Sequence, residues 1–145
     1  MVLARQEVIV DESYYTPDRI RALLRLYPYL TDAKPPTDPE LAGIARRVFG
    51  PGGWREEAAA KRADIWRAVV YLEQADWRAA YAVRAYYCVG LPFTDVAAYL
   101  ARHDGHQYHH ETIRRWTVDG LQLMAQHLGW AGAERSPCAN AKYPL

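Results

Sequence analysis

An all-α fold is expected for this chain of 145 residues. Apolar residues recur at helical spacing over most of its length. Several of those runs open on capping residues and close on Gly or Pro. Only Val8-Ile9-Val10 hints at a strand, and a lone strand has no partner to pair with. With 50% apolar and 24% charged residues, the chain can bury a core and is not a disordered polymer.

Thr16-Pro17-Asp18 opens the first helix. Thr16 can cap, Pro17 fits the first helical position and Asp18 suits the positive end of the dipole. Ile20, Leu23, Leu24 and Tyr27 form its face, and Pro28 should end or kink it. After the breaker Lys34-Pro35-Pro36, the start signal repeats as Thr37-Asp38-Pro39-Glu40, with Leu41, Ile44, Ala45 and Val48 as the face. Gly50-Pro51-Gly52-Gly53 is the strongest breaker in the chain. It divides a helical N-terminal arm, 1–53, from a module, 54–130, and an irregular tail, 131–145.

Within the module a long helix is expected over 54–74, with Ile65, Val69 and Leu72 as its stripe. A second runs over 76–89 and stops at Gly90. A short third spans 94–102, followed by the turn signal Asp104-Gly105. The last spans 110–128 and stops at Gly129. Gly120 inside it should weaken it by roughly 1 kcal/mol relative to Ala. Cys88 reads as a small buried hydrophobe, unpaired with Cys138 in the tail.

The segment 76–130 therefore reads helix, Gly90-Leu91 turn, short helix, loop, longer helix. This is the layout of a helix-turn-helix, in which one helix braces a second that enters the major groove. A small Ala97 lets the two helices cross closely. Ile113 and Trp116 anchor the second helix, and Thr112, Arg114 and Arg115 project from its N-terminal end.

The run Arg84-Ala85-Tyr86-Tyr87-Cys88-Val89-Gly90-Leu91, then Asp95-Val96-Ala97-Ala98-Tyr99-Leu100, then Glu111-Thr112-Ile113-Arg114-Arg115-Trp116, resembles region four of bacterial sigma factors. It is closer still to the sigma-like regulators of phages. Leu26-Tyr27-Pro28-Tyr29-Leu30 is similar to the arm preceding this module in phage late-transcription regulators of the RinA and ArpU type. The sequence departs from the pattern where Pro92 replaces the usual Ser or Thr at the turn, leaving Thr94 as the expected cap. It departs again in the extra residues between Leu100 and Glu111, which extend the turn, and at Gly120. The resemblance implies a module that binds promoter DNA with one face and RNA polymerase with another.

Each candidate contact has an alternative. Arg114 and Arg115 are DNA contacts or a solvated helix face. Thr112 is a contact or a helix cap. Arg102 touches phosphate or simply suits a helix C-terminus. All five histidines, His103, His106, His109, His110 and His127, lie in the module. His109 and His110 belong to a loop that approaches phosphate or stays inert. Zn2+ binding is the sharper alternative, but structural zinc sites pair such histidines with nearby cysteines, and this loop has none. No metal or cofactor is expected.

Eighteen Lys+Arg against seventeen Asp+Glu leave a net charge of +1. From Lys61 to Trp130 there are eight basic and seven acidic residues. Phosphate contacts dominate DNA affinity, so such a module binds free DNA weakly and is expected to work beside a larger partner. Five Trp and eleven Tyr against two Phe supply rings with polar handles, which suit contact surfaces.

An enzyme is not expected. The Gly50-Pro51-Gly52-Gly53 run lacks the Lys-Ser/Thr of a P-loop, and the two serines, Ser13 and Ser136, sit in no nucleophile elbow. The expected role is a phage-type transcription regulator binding double-stranded DNA together with RNA polymerase, with a second copy of the chain as a further possible partner. The alternatives are an RNA polymerase-binding inhibitor or antiterminator, a small DNA-recognition subunit of a phage packaging terminase, and a purely structural domain. No membrane span is expected. The start MVLARQEVIVDES lacks a signal peptide's apolar core, so the expected setting is the cytoplasm.

Overall fold

The computed structural model describes residues 15–130. Val8-Ile9-Val10, the tail 131–145 and the Cys138 end of the cysteine question lie outside them. Among the described residues the regular structure is helical throughout.

Thr16 caps α1 (Pro17–Leu26), its hydroxyl accepting from Arg19 N–H at 3.2 Å. Pro28 turns the chain into a short 3-10 segment, Tyr27–Tyr29. Asp38 caps α2 (Pro39–Phe49) by accepting from Glu40 and Leu41 N–H, both at 3.1 Å. The long helix α3 (Trp54–Ala75) starts at Gly53 with no side-chain cap. Asp76 caps α4 (Trp77–Val83). This helix widens into a π-helical segment, Arg84–Val89, before Gly90 stops it in the left-handed region at φ 91°. Then come α5 (Phe93–Asp104) and α6 (His110–His127).

Two apolar clusters organise these helices. The larger gathers Ile20, Leu23, Leu24 and Leu26 of α1, Ile44, Ala45 and Phe49 of α2, and Ile65, Val69 and Leu72 of α3. To these it adds Ala79 and Val83 of α4 and Leu121, Met124 and Ala125 of α6. The helices before the Gly50–Gly53 turn thus share a core with those after it. The smaller cluster joins Ala82, Ala85, Val96, Leu100 and Ile113. Trp116 packs against both.

Small residues let α4 serve two cores. Ala79, Ala80 and Val83 face the larger cluster, Ala82 and Ala85 the smaller. Beyond them the π-turn keeps Ala85 in the smaller cluster while Tyr87 and Cys88 pack on the larger. Burial pushes the Cys88 thiol up to about 11, so it behaves as an apolar filler rather than a nucleophile.

Gly120 has a packing reason. A Cβ there would sit 2.8 Å from Val83 Cγ2 and 3.2 Å from Leu72 Cδ2. The absent side chain is what lets α6 lie against α3 and α4 together. Ala would gain about 1 kcal/mol of helix propensity, but overpacking costs typically 1–3 kcal/mol. Gly120→Ala should therefore lower stability in urea unfolding, by roughly 1 kcal/mol net. A more stable variant would mean that Val83 and Leu72 yield without strain.

Candidate nucleic-acid interface

The module's last three helices are arranged by the smaller cluster. Gly90 and Leu91 N–H both return to the Ala85 carbonyl, at 3.0 and 2.9 Å, which closes the turn after α4. Extended Pro92 then starts α5 without a side-chain cap, so Thr94 does not cap it as expected. On α5, Val96 and Leu100 are fully buried against Ile113 of α6. The helix runs to Asp104, two residues past its expected end, and shortens the link to α6 to residues 105–109. Part of the apparently extended turn is helix.

The link is held by a group that sequence reasoning passed over. Arg78 Nε donates to Asp104 Oδ2 at 2.9 Å and to the Tyr108 hydroxyl at 3.1 Å. The Tyr108 hydroxyl donates to the same Asp104 oxygen at 2.7 Å, and His106 N–H donates to Oδ1 at 3.2 Å. α4, the end of α5 and the link are thereby buckled together. These bonds, that from Tyr108 first, hold the Asp104 carboxyl down at about 2. One signal for the buckle was present: a carboxylate in the last turn of a helix opposes the dipole and calls for a partner. Tyr108 also meets Trp116 edge-on, ring centroids 5.1 Å apart.

Five of the six candidate contacts fall into two groups, and Thr112 stands apart from both. Arg102, His109 and His110 line one open cleft of about 540 Å³ between α5 and the start of α6, together with Thr94 and Gln107. His109 caps α6, its Nδ1 accepting from Glu111 N–H at 3.1 Å, and it stacks on His110 at 4.3 Å. Thr112 is half-buried and is not the cap. Arg102 is exposed and lies 5.9 Å over the Tyr99 ring.

Arg114 and Arg115 lie beyond the cleft on the exposed side of α6. Arg114 Nε pairs with Glu111 Oε1 at 3.0 Å, whereas no ion pair engages Arg115 among the described residues. Helical spacing puts Arg115 between Glu111 and Asp119 on the outer face. Two acids thus accompany two arginines there, and that face carries no net charge. Beneath it, buried Thr117 donates its hydroxyl to the Arg114 carbonyl at 2.6 Å.

The remaining histidines sit against rings. His103 meets Trp77 edge-on at 5.2 Å and stacks on Tyr99 at 5.7 Å, and Tyr99 in turn stacks on Tyr81 at 4.4 Å. His127 stacks on Tyr71 at 4.3 Å. Among the described residues no group of three metal-ligating side chains converges. The Trp77-His103-Tyr99-Tyr81 ladder runs along α4 and α5, with Arg78 over Trp77 and Arg102 over Tyr99. Trp77 and Tyr99 remain 38% and 36% exposed, enough to offer contact area.

No family model matches the chain, and neither a curated protein nor a solved structure gives a significant match. Among the described residues, no helix is long and apolar enough to cross a membrane.

Asp104 makes the buckle testable by pH. Its folded pKa lies below the ordinary value of 3.8, so its contribution is fully present above about pH 4. That contribution is lost as the pH falls through about 2. Asp104→Asn should be less stable than the parent at pH 7 in thermal melts, and the two should converge as pH falls towards 2. A gap independent of pH would show that the carboxylate charge is not what holds the link.

Proposed function

We propose that this chain is a helix-turn-helix transcription regulator of the phage sigma-region-four-like kind, binding double-stranded DNA in concert with RNA polymerase. The observation that carries the reading is the pairing of α5 with α6. The first helix braces the second through Val96, Leu100 and Ile113, leaving the first turns of α6 exposed at the surface. Thr112, Arg114 and Arg115 are the contacts on α6, and Arg102, His109 and His110 flank them in the adjoining cleft. Backbone phosphates take the guanidinium and imidazole groups, and base edges take those that reach the groove floor.

The neutral outer face of α6 fits a DNA contact that is weak alone and strengthened by a protein partner. The ladder from Trp77 to Tyr81 supports the protein side of the reading. Exposed Trp, Tyr and Arg are the residues that dominate protein contacts. The same ladder favours a second reading, in which the chain acts on RNA polymerase by protein contact alone, as an inhibitor or antiterminator.

The test is fluorescence anisotropy on duplexes from promoter regions of the encoding genome. Arg114→Ala with Arg115→Ala should weaken binding and flatten the log–log salt dependence by roughly 2 units. Glu111→Gln should tighten binding several-fold, since it removes a negative charge and frees Arg114. Unchanged affinity and slope in both variants would exclude α6 as the DNA contact. Retained capture of RNA polymerase without DNA, lost in Trp77→Ala with Tyr99→Ala, would then select the second reading.

A further inference from the structure

A cluster of positive charge lies around the Gly50–Gly53 turn. The Gly50–Gly53 turn folds α2 back against the start of α3 so tightly that a Cβ on Gly53 would lie 2.0 Å from the Phe49 carbonyl oxygen. The turn bounds an open cleft of about 640 Å³. Its floor includes Phe49 and Trp54, packed edge-on at 5.1 Å. Lys34, Arg46 and Arg55 line it, and no acidic side chain does. All three cations are exposed.

Like Lys61, Arg62, Arg102 and Arg115, these cations are held in no ion pair among the described residues. Six ion pairs occupy cations elsewhere among the described residues, and none involves Lys34, Arg46, Arg47 or Arg55. Arg46 and Arg47 both reach back along α2 towards Gly43. Both guanidinium groups come within 3.9 Å of the point a Cβ on Gly43 would occupy. The dipole of α2 accounts for cations in its last turn. It does not account for Arg55, which lies in the first turn of α3, where a positive charge is disfavoured. Nor does it account for Lys34, which lies outside any helix. Three cations line one cleft with no acid in its lining, and one of them, Arg55, stands against its own helix field; an anionic ligand would relieve both.

We propose that this cleft is a second nucleic-acid contact, which grips the phosphodiester backbone of duplex DNA through Lys34, Arg46 and Arg55. The proposal rests on the DNA-binding reading above and adds to it a contact of different character. The cleft sits at the start of α3, whereas Tyr71 near the end of that helix stacks on His127, the last residue of α6. The intervening seventeen residues put the two about 26 Å apart along the helix axis. The cleft offers charge without base-reading geometry, so it adds affinity uniformly across sequences.

The test compares salt slopes on the same duplex for the full chain, Lys34→Gln/Arg46→Gln/Arg55→Gln, and Arg114→Ala/Arg115→Ala. The cleft variant should weaken binding tenfold or more and lower the slope by roughly 2 to 3 units, equally on specific and scrambled duplexes. Arg55→Glu gives a second arm, because a carboxylate suits the start of α3. It should leave the melting temperature unchanged or raised and still weaken DNA binding. If the cleft variants keep the parental slope while the α6 variant loses it, the cleft proposal fails and the α6 reading stands. If only the cleft variants lose it, the α6 contact fails and the cleft stands. No DNA binding by the parent chain overturns both. Loss of inorganic tripolyphosphate binding in the cleft variants, with the DNA slope untouched, also overturns the assignment to nucleic acid.

Discussion

The fold depends on one close approach. At Gly120, α6 comes near enough to α3 and α4 that no side chain fits between them. That contact makes a single helix belong to two cores. The C-terminal half of α6 buries Leu121, Met124 and Ala125 in the larger cluster, and the N-terminal half buries Ile113 in the smaller. Trp116 lies at the junction and packs on both. The exposed first turns of α6 are therefore not carried on a free hairpin. Their position is referred through one continuous helix to the core that also holds α1 and α2.

Charge is arranged by engagement rather than by amount. The near-neutral total hides a division between cations already held by acids and cations left to solvent. Arg78 belongs to the link and Arg114 shares Glu111, so neither is wholly available to a ligand. Arg115 and Arg102 in the module are free of ion pairs, as are the four cations around the Gly50–Gly53 turn. Counting residues along the module could suggest weak DNA binding. It could not show that four of the unpaired cations lie around the Gly50–Gly53 turn.

What was legible in the sequence was local. Thr16 and Asp38 cap where their side chains can reach the next turn's amides, and the Ile65-Val69-Leu72 stripe is buried as its period requires. What was not legible depends on residues far apart in the chain. Arg78, Asp104 and Tyr108 meet only once α5 has folded against α4. His109 as a helix cap escaped because an imidazole is an uncommon choice beside Ser, Thr, Asp or Asn. The Gly50–Gly53 turn was readable as a break in the chain, yet turn chemistry does not report whether the flanking helices share a core, and here they do. Of the six candidate contacts, three converge on one cleft and two ride the outer face of α6. The sixth, Thr112, is half-buried.

The π-turn at Arg84–Val89 also constrains how this chain can change length. A π-turn holds one residue more than the α-turn it replaces. Removing a residue there would restore regular α-geometry locally, but it would rotate everything downstream by about 100° about the helix axis. Ala85, Tyr87 and Cys88 could no longer divide between the two clusters, and α5 would leave α4 on the wrong side. Deletions are thus closed to this segment, because the helix must keep its phase between the two clusters.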